Sequence, residues 1–403
     1  MAWNYTPLGG SRFRFSRYNL VLATAIISTI AAIVLFLLRD GHRRTVDRFP
    51  FSTLPPSTCD AAISPPASSE IPNLVHYVWL TRDPSLFTLD FRAFLTVYSA
   101  HLFLRPTAIY IHTDASPSAL VSPQLDLWTR RILAIPGVKP NYISAPSHTT
   151  AGVPLDRIEH KSDIIRLQAL RDFGGLYLDF DAIPLRDVAP LRTAGFGAVL
   201  GPVTAVSVWQ SGMLNNGVML SRPHSAFIEI YYEAYQRFFT GEWDRASVVL
   251  LTDLAMRVAA VPRAVLLVEA RAFAPFSWEV FDMNRLYGFL LGRPDDRDGG
   301  ARVSAEMPGG LEEGTCGDAM AWLREREKGM GAKGKGEEVD LSNTYVMHAF
   351  DANLGAFYGL FSPRLDIDLA YVMRRESNFA RAVWPAVRHA IEAGLLPEVK
   401  VGG

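Results

Sequence analysis

The chain has 403 residues, a net charge of -1, 49% apolar and 20% charged residues. That length holds one large α/β domain with accessories or two average domains, and the near-zero charge argues against a nucleic-acid partner. Two cysteines, Cys59 and Cys316, exclude a cysteine-rich metal cluster and a dense disulfide framework.

Residues 20–38, LVLATAIISTIAAIVLFLL, carry no charge. As a helix they would span roughly 28 Å, close to the hydrocarbon thickness, and no small-x-small cleavage site follows before Arg39. The segment is expected to be a signal anchor, with a cleaved signal peptide as the alternative. Arginines stand on both sides, so the basic-residue rule alone does not orient it; residues 1–19 are read as a cytosolic tail because the large domain follows. Residues 39–70 are basic and then Ser/Pro-rich, a composition that buries little and reads as a stem.

At Ile71 the texture changes, and a catalytic domain is expected over residues 71–385, with 386–403 as a C-terminal tail. LVHYVWL and TAIYIH are strand-like, a helix is expected through LFTLDFRAFLTVYSAHLF, and NYIS reads as a third strand. DRIEHKSDIIRLQALRDF has amphipathic helical spacing, and LYLDF follows as a strand. Strands alternating with helices predict a mostly parallel α/β sheet flanked by helices. GAVLG, VSVWQ and GVML are short strand candidates for an accessory sheet or crossing strands; residues 224–239 and 245–260 read as helices. Residues 293–338 degrade into Gly/charge runs, and NTYVMHAF reads as a final strand.

The run GGLYLDFDAIP, residues 174–184, poses the chemical question. If LYLDF is a strand, Asp179 and Asp181 face the same side while Phe180 turns into packing. At the C-terminal end of a sheet the two carboxylates can converge on one hard cation, manganese or magnesium, and on a diphosphate that the cation also holds. Gly174-Gly175 permits a tight turn from helix to strand. A metal site, a phosphatase nucleophile, a helix cap and an ordinary turn all remain open from the residues alone.

KSDIIRLQALRDFGGLYLDFDAIPL, residues 161–185, resembles the DxD sugar-nucleotide region of the Och1-like enzymes of glycosyltransferase family 32, as do IPNLVHYVWL and, less closely, SGMLNNGVMLSRPHS. The resemblance covers residues 71–350. It implies a GT-A fold, a single-pass type II Golgi membrane protein, a manganese or magnesium ion, a nucleotide-sugar donor and retention of anomeric configuration. GDP-mannose is favoured over UDP-sugars, and a glycan or glycosphingolipid is the expected acceptor.

By the same resemblance Asp181 coordinates the metal, and Asp179 contacts the donor ribose or sugar or reaches the metal through water. Asp163 and Arg166, three apart on one helical face, lie beneath the donor sugar or form a surface ion pair; Tyr177 belongs to the same pattern. Asn215 and Asn216 line the donor or acceptor cleft, or make a plain Asn-Gly turn. His348 is similar to the late histidine beside metal and diphosphate, with packing as its alternative. His76 and Trp79 mark the nucleotide entry unless Trp79 is core, and Asp114 contacts base or ribose, or caps a turn. The chain departs from the family pattern at VVLLTDLAM, which lacks the usual Gly-Pro pair, so Asp253 is either an acceptor-cleft carboxylate or an ordinary helix residue. The expected reaction is hexosyl transfer. Two alternatives stand beside it: a membrane-anchored carbohydrate-binding or scaffold protein, and a haloacid-dehalogenase-like phosphatase with Asp179 as nucleophile. The latter lacks a second downstream carboxylate in GDAMAW.

Overall fold

The computed structural model describes residues 70–204, 212–290, 339–350 and 366–397. Among these residues no helix is long and apolar enough to cross a membrane. The anchor read at residues 20–38 lies outside them, as do the cytosolic tail, the stem up to residue 69, both cysteines and the Gly/charge runs. The fold expected to include a transmembrane helix, with its membrane partner and single-pass Golgi placement, is therefore corrected to an α/β fold without one among the described residues.

The chain enters at β1 (Leu74–Val78), α1 (Phe91–Ser99), β2 (Ala108–Thr113), α2 (Leu127–Leu133) and β3 (Val138–Tyr142). α3 (Ile158–Phe173) then leads into β4 (Gly175–Leu178) and the short β5 (Ala182–Pro184). β6 (Ala198–Pro202), β7 (Leu214–Ser221), α4 (Ala226–Phe238), α5 (Leu250–Val258) and β8 (Val265–Leu267) follow, then β9 (Val346–His348) and α6 (Asn378–Glu392). Helix starts are chemically marked: Asp90, Asp126, Ser225 and Ser377 each accept a backbone N–H of the first turn, satisfying a donor the helix cannot.

Seven strands form one sheet in the order β3-β2-β1-β4-β7-β6-β8. β3, β2, β1 and β4 are mutually parallel, but β7 runs antiparallel to both β4 and β6. The sheet is mixed rather than mostly parallel, and GAVLG and GVML belong to it rather than to an accessory sheet. The reason is visible in β7, whose LNNGVMLS is one eight-residue strand that reaches both neighbours. Its apolar second half is fully buried, which suits a central strand covered on both faces. β5 and β9 pair separately, with Ala182 opposite His348.

Helix α4 packs on both α3 and α5, and α1 packs with α2 and α6. α4 buries Phe227, Ile230, Tyr231 and Ala234 on one face; each large apolar side chain so removed from water contributes about 1.5–3 kcal/mol. α6 sets Val383, Ala386, Val387 and Ala390 into the core. The strand order reverses between β1 and β4, so a crevice opens at their C-terminal ends, the position where open α/β sheets bind ligands.

Candidate active site

β1 ends at Val78 and β4 at Leu178, which puts Trp79 and Asp179 directly at that reversal. Two glycines make the approach possible. Gly174 and Gly175 have φ of +65° and +111°, and a Cβ on Gly175 would stand 2.6 Å from the Leu74 carbonyl oxygen. Only glycine accepts that backbone at that distance.

The two aspartates do not sit within a strand as LYLDF suggested. They flank Phe180 in a turn closed by the Ala182 N–H donating to the Asp179 carbonyl at 2.9 Å, and the turn brings their carboxylates together. Phe180 packs against Tyr77 and Trp79 with ring centroids at 4.8 and 5.1 Å, the inward turn expected of it. β9 delivers the third member. His348 Nε2 lies 3.1 Å from Asp181 Oδ1, and one ligand atom from each of Asp179, Asp181 and His348 falls within 4.8 Å of the other two.

The cluster is electrostatically tuned. Burial alone would push the Asp181 carboxyl up, yet His348 and Arg92 hold it below the ordinary carboxylate value. Burial pulls the other way on His348, and the Asp181 carboxylate wins, keeping its imidazole above the ordinary histidine value. Two carboxylates with one imidazole make an oxygen-rich donor set with a borderline nitrogen, which fits manganese and accommodates magnesium.

Behind Asp179 lies a buried polar network. Tyr177 donates its hydroxyl to Asp179 Oδ1 at 2.6 Å. The Arg166 guanidinium stands 3.3 Å from the same oxygen and 3.1 Å from Asp163 Oδ1, donates to the Asn216 carbonyl at 2.9 Å, and lies over the Tyr177 ring. Asn216 and Tyr235 donate to Asp163 at 2.8 and 2.9 Å. Burial pushes the Asp163 carboxyl up against the pull of Arg166. Asp163 and Arg166 are thus no surface ion pair, being 6% exposed each. Gly217 forms the floor: its carbonyl accepts the Asp179 N–H at 2.8 Å, its own N–H donates to Asn215 Oδ1 at 2.6 Å, and a Cβ there would meet Asp179, Asn215 and His348.

A cavity of about 980 Å³ opens over this cluster, with Trp79, Asp163, Arg166, Asp179, Asp181, Asn215 and Asn216 in its wall. Three predicted residues belong neither to the cavity wall nor to the cluster beside it. His76 is fully buried, with Nε2 donating to the Gly174 carbonyl at 2.8 Å and Nδ1 3.0 Å from His112 Nε2. Asp114 accepts the Thr81 N–H at 2.8 Å and ties the loop after β1 to β2. Asp253 lies on α5, while its neighbour Thr252 anchors the Leu214 N–H. The structure adds Arg92, on the first turn of α1 and in the cavity wall, and Tyr235, 72 residues from its partner Asp163. Arg92 carries no sequence signal beyond a charge on an amphipathic helix.

Residues 137–195 match the family model described as the glycosyltransferase sugar-binding region containing DXD motif. Over 210 residues, half of this chain, the sequence is 32% identical to "Glucan organizing enzyme 1" of Cryptococcus neoformans var. grubii serotype A, and it spans 54% of that protein's length. Similar solved structures include the PaToxG glycosyltransferase (15% identity, 51% of this chain and 75% of that one, TM-score 0.34) and GlyE of Streptococcus pneumoniae (10% identity, 81% and 64%, TM-score 0.36). The matched region contains the turn that carries Asp179 and Asp181, so this part of the chain is similar to the DXD-containing sugar-binding region of glycosyltransferases.

Proposed function

We propose that the protein transfers a hexosyl group from a nucleotide-sugar donor to a glycan hydroxyl, with retention of configuration. The observation that carries the reading is the convergence of Asp179, Asp181 and the buried His348 beside one large cavity at the sheet's reversal point, with both carboxylates in its wall. A divalent cation bound there by Asp181, His348 and Asp179 would supply charge neutralisation for a departing diphosphate.

The chain's own groups divide the remaining work. Arg92 places positive charge beside Asp181, where the diphosphate would lie. Arg166 and Tyr177 fix Asp179 in one rotamer, and Arg166 and Asn216 hold Asp163 beneath the same wall. A hexose seated there would meet positioned donors and acceptors at fixed sites. Trp79, at the end of β1, offers an aromatic edge for the base. Asp179 and Asp163 are both bound by Arg166, which lowers their nucleophilicity, so attack by the acceptor hydroxyl on the leaving-group face is favoured over a covalent glycosyl-enzyme.

The resemblance of residues 161–185 to the Och1-like enzymes supports mannose from GDP-mannose ahead of UDP-sugars. Thermal-shift titration with GDP- and UDP-sugars in the presence of manganese tests the donor. Stabilisation by GDP-mannose alone is the expected result, and a response to UDP-sugars alone would replace the donor.

A further inference from the structure

The cavity has a second end with different chemistry. Beyond the aspartates its wall is built from the first turns of α3 and from the segment before α5: Glu159, His160, Trp243 and Asp244. Trp243 is 58% exposed, unusual for the largest side chain when it borders a cavity. Its ring is nevertheless held in place. The Arg157 guanidinium lies over it at 5.5 Å from the centroid, and the His160 ring packs 6.0 Å away. His160 is 3% exposed, and its Nε2 is a buried polar atom with no hydrogen-bond partner, an arrangement that costs free energy unless something else completes it.

We propose that this end of the cavity is the acceptor subsite, and that it takes a saccharide with a pyranose ring laid on Trp243; the proposal rests on the glycosyl-transfer reading above. The assignment follows from three properties of the wall. A fixed indole offers a flat apolar surface matching the C–H face of a pyranose, at no cost in ordering the side chain. Glu159 and Asp244 can each accept hydrogen bonds from neighbouring sugar hydroxyls, and His160 supplies the further unpaired polar atom. The donor's diphosphate would lie at the other end, where Arg92 and a divalent cation held by Asp179 and Asp181 would balance its charge. A cavity of about 980 Å³ lies at the top of the range of about 300–1,000 Å³ that suits a single small ligand, which leaves room for both.

Binding is measured calorimetrically without donor or metal, using maltotetraose, laminaritetraose, mannotetraose and xylotetraose as probes. At least one tetraose is expected to bind, and Trp243→Ala to weaken it tenfold or more with Trp243→Phe in between. Asp181→Ala, which removes the cation site, is expected to leave that affinity within twofold. The proposal is overturned if no tetraose binds at 10 mM on the order of the weakest useful affinity, or if Trp243→Ala binds as the wild type does. It is equally overturned if Asp181→Ala abolishes binding, or if Trp243→Ala weakens GDP or UDP instead. Since no donor is present, a failure of donor turnover leaves this result standing, and the two ideas fail separately. Trp243 is exposed, so the variant retains its core; circular dichroism checks that it does.

Discussion

Asp181 and His348 face each other at 3.1 Å although 167 residues separate them, because β5 and β9 pair with Ala182 opposite His348. Against the pull of burial, the Asp181 carboxylate holds the His348 imidazole above its ordinary value, which favours the form with a proton on both nitrogens.

A cation must displace that proton. Below the raised pKa of His348 the proton competes with the ion, and above it the competition ends, so cation affinity is expected to rise with pH by up to about tenfold per unit. Manganese titrations at pH 6, 7 and 8 check the slope, and His348→Gln is expected to flatten it. An affinity independent of pH in the wild type would remove His348 from the ligand set.

Gly217 is expected to tolerate no side chain. A Cβ would stand 2.6 Å from Asp179 Oδ2, 2.8 Å from Asn215 Oδ1 and 2.8 Å from His348 Cε1. Gly217→Ala should therefore displace the carboxylate and the imidazole, lowering manganese affinity at least about tenfold while the sheet still forms. Near-ultraviolet circular dichroism and metal titration of the variant test both halves.

Arg166 joins the buried carboxylate of Asp163 to the partly exposed carboxylate of Asp179. Arg166→Ala strands Asp163 and is expected to cost about 3–5 kcal/mol of stability, and Arg166→Lys to recover part of it, since an ammonium cannot span Asp163, Asp179 and the Asn216 carbonyl together. Urea unfolding measures the difference. A loss below about 1 kcal/mol would mean that Asp163 is neutral in the native state.

Much of this arrangement could be read from local sequence. The helix and the double glycine that follows it were legible from periodicity and turn chemistry, whereas the strand expected to carry Asp179 ends at Leu178, and the grouping of Asp163, Arg166, Tyr177, Asp179 and Asp181 was an expectation of the short resemblance. What was not legible depends on distant pairing. The partners of Asp163 come from Asn216 and Tyr235, 53 and 72 residues on. The antiparallel β7 has the same apolar texture as a parallel strand, so its direction was invisible. His76 was misplaced for a similar reason: its partners, His112 and the Gly174 carbonyl, belong to β2 and the end of α3. The Asn141 amide also stands 2.8 Å from the other nitrogen of His112, completing a chain of neutral donors and acceptors across three strands.

That chain predicts acid sensitivity. Burial lowers His76 from 6.5 to about 4 and His112 to about 3. Folded values below the unfolded one mean that the unfolded chain binds more protons between about pH 6.5 and 4. Stability is therefore full above pH 6.5 and lost as pH falls, by up to about 1.4 kcal/mol per pH unit for each histidine. Urea midpoints at pH 7, 6 and 5 should show the fall, and His76→Gln, which keeps a donor to Gly174, should remove about half of it.

The most direct measurement compares nucleotide release from GDP-mannose and UDP-sugars by the wild type and Asp181→Ala, each with and without manganese. The account predicts release that needs manganese and falls at least about 100-fold in the variant. Release of the same rate with chelator present, or an undiminished rate in Asp181→Ala, would contradict it, and an inert wild type that still binds glycans would make the protein a carbohydrate-binding module.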